Sequence, residues 1–127
     1  MRILVVDDQS SLRQALGLQL RTHGYEVIEA ADAAEALAQF QAFKPDLILL
    51  DVMMPNMDGF TLAEEIRNVD PDVPLFFLSA KSMKDDILTG YKLGADDYIT
   101  KPMKLNELEN SIRRLFPKEP SRIDVIG

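Results

Sequence analysis

Asp7 and Asp8 follow the apolar run ILVV, Asp51 follows LILL, Ser79 follows LFFL and Lys101 follows YIT. Three carboxylates, a hydroxyl and an ammonium thus each close a short apolar segment. If those segments lie side by side, the three acids repel one another, and a hard divalent cation, the lysine or both must offset them. Mg²⁺ is the expected cation, because two carboxylates and a backbone carbonyl suffice for it while water fills its other positions. A carboxylate beside Mg²⁺ and a lysine can act as a nucleophile toward phosphorus, since both charges neutralise a transferring phosphoryl group. Ser79 could then donate a hydrogen bond to a phosphoryl oxygen. Any one strand-end Asp or Ser is commonly a turn or helix cap. Five polar residues at four strand ends point instead to one shared site.

The elements that must position them alternate along the chain. Residues 2–6 read as a buried strand. A helix follows, with Ser10 or Ser11 as N-cap, Leu12, Leu16 and Leu20 on one face and Gly24 as its stop. His23, the lone histidine, reads as a surface residue suited to the helix C-terminal dipole. Residues 25–29 form a second strand, and Asp32 caps a helix over 33–43 with Ala34, Leu37 and Phe40 on one face. The segment LILLDVMMPNMDGF is a strand buried on both faces, delivering Asp51 to a loop rich in turn formers (Pro55, Asn56, Asp58, Gly59). Helix 60–69, strand 75–78, helix 84–93, strand 98–100 and helix 105–116 complete the pattern. Gly90 weakens the fourth helix by up to about 1 kcal/mol relative to alanine. Five strand–helix repeats predict an α/β fold: a five-stranded doubly wound parallel sheet in the order 2-1-3-4-5, with the site beyond the carboxyl ends of strands one and three.

Composition limits what else the chain can do. A length of 127 residues suits one domain. Without cysteine, neither disulfides nor thiolate metal sites contribute, which fits a reducing compartment. A four-residue apolar run before the first acids is far short of a signal peptide or membrane span, so a cytoplasmic protein with no membrane role is expected. The formal net charge of −7 makes direct nucleic-acid binding by this segment a poor prospect.

The motifs ILVVDD, LILLDVMMPNMDG, LSAK and GADDYITKP, followed by the last helix, appear in the order and spacing of the receiver domain of two-component response regulators, which residues 2–116 resemble. The resemblance implies that Asp51 is the phosphoacceptor, Asp8 a Mg²⁺ ligand, Asp7 a ligand acting through water, and Met53 the donor of a backbone carbonyl to the metal. It implies that Lys101 pairs with the phosphoryl group and that Ser79 and Tyr98 form a switch which remodels the surface of the fourth helix, fifth strand and fifth helix. Tyr98, on a three-residue strand, is expected to swing because little packs it. A cis Lys101–Pro102 peptide bond is a further expectation. The implied partners are a sensor histidine kinase or phosphotransfer protein as donor, a homodimer through the switch surface, and DNA only through an output domain outside this segment.

Some positions depart from common family patterns. Gln9 replaces a frequent third acid, while Met53 and Lys81 flank the path of a hydrolytic water without being able to orient it, which favours a long-lived phosphoryl group. Ile87 and Ser111 stand where winged-helix regulators usually carry charged dimer contacts. Residues 1–117 read as the receiver, and 118–127 as a linker or the start of a truncated output domain. A free-standing receiver acting through protein contacts is the alternative. A Mg²⁺-dependent aspartyl-phosphate phosphatase is the rival from another class, but it places a D-x-D pair after its first strand, and residue 53 here is methionine. The chain is therefore read as no enzyme beyond its own phosphorylation and dephosphorylation.

Overall fold

The structure, a computed structural model, describes residues 1–54, 58–80 and 83–117. Pro55, Asn56, Lys81 and the segment 118–127 lie outside the described residues. The elements run β1 (Arg2–Val6), α1 (Ser10–Thr22), β2 (Glu26–Ala30), α2 (Ala33–Phe43), β3 (Leu47–Asp51), α3 (Gly59–Val69), β4 (Leu75–Ser79), α4 (Lys84–Lys92), β5 (Asp97–Thr100) and α5 (Leu105–Leu115). All neighbouring strands pair in parallel, in the order β2-β1-β3-β4-β5. The expected α/β architecture and strand order are both found.

Two cores explain why the strands are apolar throughout. Alternate residues of a strand face opposite sides. Leu4, Val6, Ile48, Leu50 and Phe77 pack under α2, α3 and α4 with Phe40, Leu62 and Ile66. Ile3, Val5, Leu47, Leu49 and Phe76 pack under α1 and α5 with Leu20, Leu108 and Ile112. Every residue of β3, Asp51 included, is buried. No helix among the described residues is long and apolar enough to cross a membrane.

Several local expectations are corrected. Neither Ser10 nor Ser11 caps α1; Gln9 does, without a side-chain bond, because its N–H donates to Asp7 Oδ1 at 3.0 Å and closes the turn from β1. Within α1, Leu20 is buried, whereas Leu12 is half exposed. Asp32 does cap α2, accepting from the Glu35 N–H at 2.8 Å, but Ala34 is exposed, and Ala36, Phe40 and Phe43 carry the buried face. Asp58 is the N-cap of α3, which begins one residue earlier than expected. His23 is not a free surface group: Nδ1 lies 2.9 Å from Oε1 of Glu109, a residue of α5 that is itself buried.

Candidate functional site

Strand register brings the acids together. Val6 pairs with Leu50, so Asp7 and Asp51, each one residue further on, emerge level with each other on adjacent strands. Asp7, Asp8 and Asp51 each offer a carboxylate oxygen, and these atoms all lie within 4.8 Å of one another. Asp7 and Asp51 are buried, and Asp8 is intermediate. β4 and β5 pair through Ser79 and Thr100, which puts Lys101 beside the same strand ends. Its Nζ lies 2.8 Å from Asp7 Oδ2 and 3.7 Å from Asp51 Oδ2. The ammonium therefore sits between two acids rather than opposite one. The Lys101–Pro102 peptide bond is cis, as expected.

Burial pushes the Asp51 carboxyl up to about 6, and the charges of Asp7 and Asp8 add to the rise, while the Lys101 ammonium and the Met53 N–H oppose it. The Met53 N–H donates to Asp51 Oδ1 at 3.2 Å, and the methionine side chain is half exposed. This is an anionic pocket under strain from its own charge. It suits a divalent cation with oxygen ligands, because a cation relieves the repulsion that one lysine only partly offsets. A groove of about 420 Å³ opens beside it between α1 and α5, lined by apolar residues such as Leu12, Leu16, Met103 and Leu105 and reaching Asp7, Asp51 and Lys101.

Ser79 is fully buried at the end of β4. Its side chain shares a hydrogen bond with Tyr98, and its carbonyl accepts from the Lys101 N–H at 2.8 Å. Tyr98 is not loosely packed. Only 8% of it is exposed, its ring centroid lies 5.9 Å from that of Phe77, and a Cβ added at Gly90 would stand 2.8 Å from its Cδ2. Gly90 thus makes room for the inward ring, which its helix-weakening effect alone does not reveal. Gly90→Ala is expected to displace the Tyr98 ring and lower stability by about 1 kcal/mol, crowding outweighing alanine's better helix propensity. Thermal melts and the Tyr98 ring signals in NMR check this; a stability gain with unchanged ring signals would show that the ring has room to spare.

One group beside the site has no sequence signal. Arg13 donates from Nη1 to the Asp7 carbonyl at 2.8 Å. Asp97 joins α4, β5 and α5, accepting from the Tyr91 hydroxyl, from Ser111 and from Arg114. Ser111 is therefore an internal partner, and Ile87 packs against the core; neither presents itself as a free surface contact.

A family model described as the response regulator receiver domain matches residues 3–113. The probable transcriptional regulator ycf27 of Cyanophora paradoxa is 48% identical over 115 residues, covering 91% of this chain and 48% of that protein. The chain spans about half the length of the curated relatives it matches. A two-component response regulator from Clostridium difficile superposes with a TM-score of 0.88 at 29% identity, covering 93% of this chain and 97% of that one. Response regulator TrrA from Thermotoga maritima, solved in complex with Mg²⁺–BeF, gives 0.81 at 36% identity, covering 90% and 97%. Likeness of this extent, in sequence and in backbone alike, makes the chain a member of the response regulator receiver domain family.

Proposed function

We propose that Asp51 accepts a phosphoryl group from a phosphohistidine on a sensor kinase or phosphotransfer protein. The observation that carries this reading is the set of three carboxylates within 4.8 Å, with one ammonium bridging two of them. An Asp51 oxygen attacks phosphorus, and the bond to the donor nitrogen breaks as the imidazole takes back its electron pair. Lys101 lies close enough to turn from Asp7 toward a phosphoryl oxygen on Asp51. Asp8, Asp51 and the Met53 main-chain carbonyl would hold Mg²⁺, with Asp7 acting through water; bound there, the ion would neutralise charge on the transferring group. The Mg²⁺–BeF complex of TrrA, a member of the same family, supports that choice of cation.

Phosphorylated Asp51 gains charge and acceptor oxygens and favours the conformer in which Ser79 turns its hydroxyl toward it. That turn takes Ser79 from its bond with Tyr98, which couples the site to the face of α4, β5 and α5. The remodelled face is the output, through a homodimer or another protein contact, in a chain acting in the cytoplasm. We further propose that residues 1–117 are the input half of a transcriptional regulator, whose DNA contacts belong to an output domain outside this segment. The curated relatives, named as transcriptional regulators and about twice as long, support this. The catalytic part of the reading extends only to the chain's own phosphorylation and dephosphorylation.

Intact mass after incubation with Mg²⁺ and acetyl phosphate tests the site. The expected result is an adduct of one phosphoryl group that needs Mg²⁺ and vanishes in Asp51→Asn. An adduct that persists in the mutant would move the acceptor elsewhere, and none in either protein would leave a receiver that signals by binding alone.

A further inference from the structure

Arg13 lies one turn into α1 and belongs to none of the strand ends that build the site, yet it reaches the site's main chain. Its Nη1 donates to the Asp7 carbonyl at 2.8 Å, and its Nε donates to Glu29 Oε1 on β2 at 3.3 Å. Only 13% of the Arg13 side chain and 20% of that of Glu29 are exposed. The other Glu29 oxygen takes Arg21 Nη1 at 3.2 Å, and Arg21 Nη2 is anchored on the Val27 carbonyl at 3.0 Å. Gly17 completes the arrangement: a Cβ there would stand 3.0 Å from Glu29 Oε2. The helix thus carries a residue that weakens helices where the partly buried Glu29 carboxylate lies against it.

Asp7 is held on every side. Its N–H donates to the Ala30 carbonyl at 3.1 Å, its Oδ1 accepts from the Gln9 N–H and its Oδ2 from Lys101. Arg13 takes the remaining group, the carbonyl of the peptide that joins Asp7 to Asp8. We propose that Arg13 is a positioning residue for the acid cluster: clamped by Glu29, it fixes the Asp7–Asp8 peptide and with it the direction in which both carboxylates project toward Asp51. The inference rests on the metal-binding part of the proposed function.

Positioning and charge predict opposite signs. Arg13 is a cation near an anionic site, so its removal on Coulomb grounds alone would tighten binding of a divalent ion. If it holds ligands in place, its removal weakens binding, by about 10-fold as for other groups behind metal ligands. The experiment is a Mn²⁺ titration of the full chain, followed by electron paramagnetic resonance of the free ion. Arg13→Ala is expected to bind about 10-fold more weakly. Arg13→Gln, uncharged but able to donate to the Asp7 carbonyl, recovers part of the loss. Binding by Arg13→Ala that equals or exceeds that of the unaltered chain overturns the inference, as does an Arg13→Gln no better than Arg13→Ala. If the unaltered chain takes up no Mn²⁺, the metal-binding reading falls first. Should Arg13→Ala fail to fold, the Arg13 Nε–H NMR signal of the unaltered chain decides. Protection from exchange with a shift on adding Mg²⁺ supports positioning, and exchange as fast as in an exposed arginine overturns it.

Discussion

Gly59→Ala is expected to be among the most damaging single-methyl changes in this protein, lowering stability by about 3 kcal/mol and the melting temperature on the order of 10 °C. A Cβ at Gly59 would stand 2.2 Å from the Asp51 carbonyl oxygen, 2.7 Å from Val52 Cα and 2.9 Å from Asp51 C. All three are backbone atoms of the strand end that carries the proposed phosphoacceptor, so no side-chain rotation relieves the clash. The N-terminus of α3 must instead move away, stretching the bond from the Gly59 N–H to the Val52 carbonyl, now 2.7 Å. The same shift displaces Asp51 relative to Asp7, so divalent-ion affinity falls with stability. Differential scanning calorimetry with and without Mg²⁺ checks both effects. A variant that melts within a degree or two of the parent would show that the helix start has slack the structure does not display.

Asp51→Asn is expected to stabilise the metal-free protein at neutral pH while abolishing its phosphorylation. The Asp51 carboxyl is raised to about 6, from an ordinary 3.8, first by burial and then by its acidic neighbours. The folded state therefore holds a proton that the unfolded chain has released between these values. A raised carboxyl contributes its stability below about pH 4 and loses it as pH rises through about 6. Asparagine never ionises, so the gap in melting temperature between mutant and parent opens from pH 4 to about 6.5 and then levels off. Discounted for solvent screening at the mouth of the site, the plateau is about 1–2 kcal/mol. Lys101 does not lose its partner in the mutant, since Asp7 lies closer to it than Asp51 does. Adding Mg²⁺ closes the gap by stabilising the parent, because the ion binds the ionised cluster. A mutant less stable than the parent at pH 7.5 without metal would sink this account of the site.

The proposed chemistry follows the same titration. The attacking group is the carboxylate, so phosphoryl uptake and divalent-ion affinity both decline below about pH 6 as Asp51 takes its proton. The site's mutual repulsion, partly offset by one lysine, is what makes the ionised cluster costly and a cation welcome there.

How much of this was legible in the chain differs by residue. Four apolar runs ending in Asp7, Asp51, Ser79 and Lys101 identify the strands and the ends that carry the proposed site, because a parallel strand buried on both faces has few ways to admit a polar residue except at its carboxyl end. Strand order followed from alternation and handedness, and the family resemblance assigned roles that the geometry accommodates. Boundaries shifted by a residue where competing caps decided them. Gln9 rather than Ser10 caps α1 because the Asp7 side chain already closes that turn.

Features that depend on what comes from afar in the chain could not be read locally. Gly59 and Gly90 look like turn and flaw in the sequence; each proves to be space, one for the backbone at Asp51 and one for the ring of Tyr98. A short strand predicts a loose Tyr98, and it is buried because Gly90 of α4 lies against its ring. The helix end alone predicts a surface His23, and α5 brings Glu109 beside it. Arg13 has no motif at all. Hydrophobic periodicity and strand-end chemistry are written in neighbouring residues, so composition and order suffice to place the acids. Which side chains hold one another in place depends on pairs 16 or more residues apart, such as Arg13 with Glu29 and Lys101 with Asp7, and only the packed sheet brings them within bonding distance.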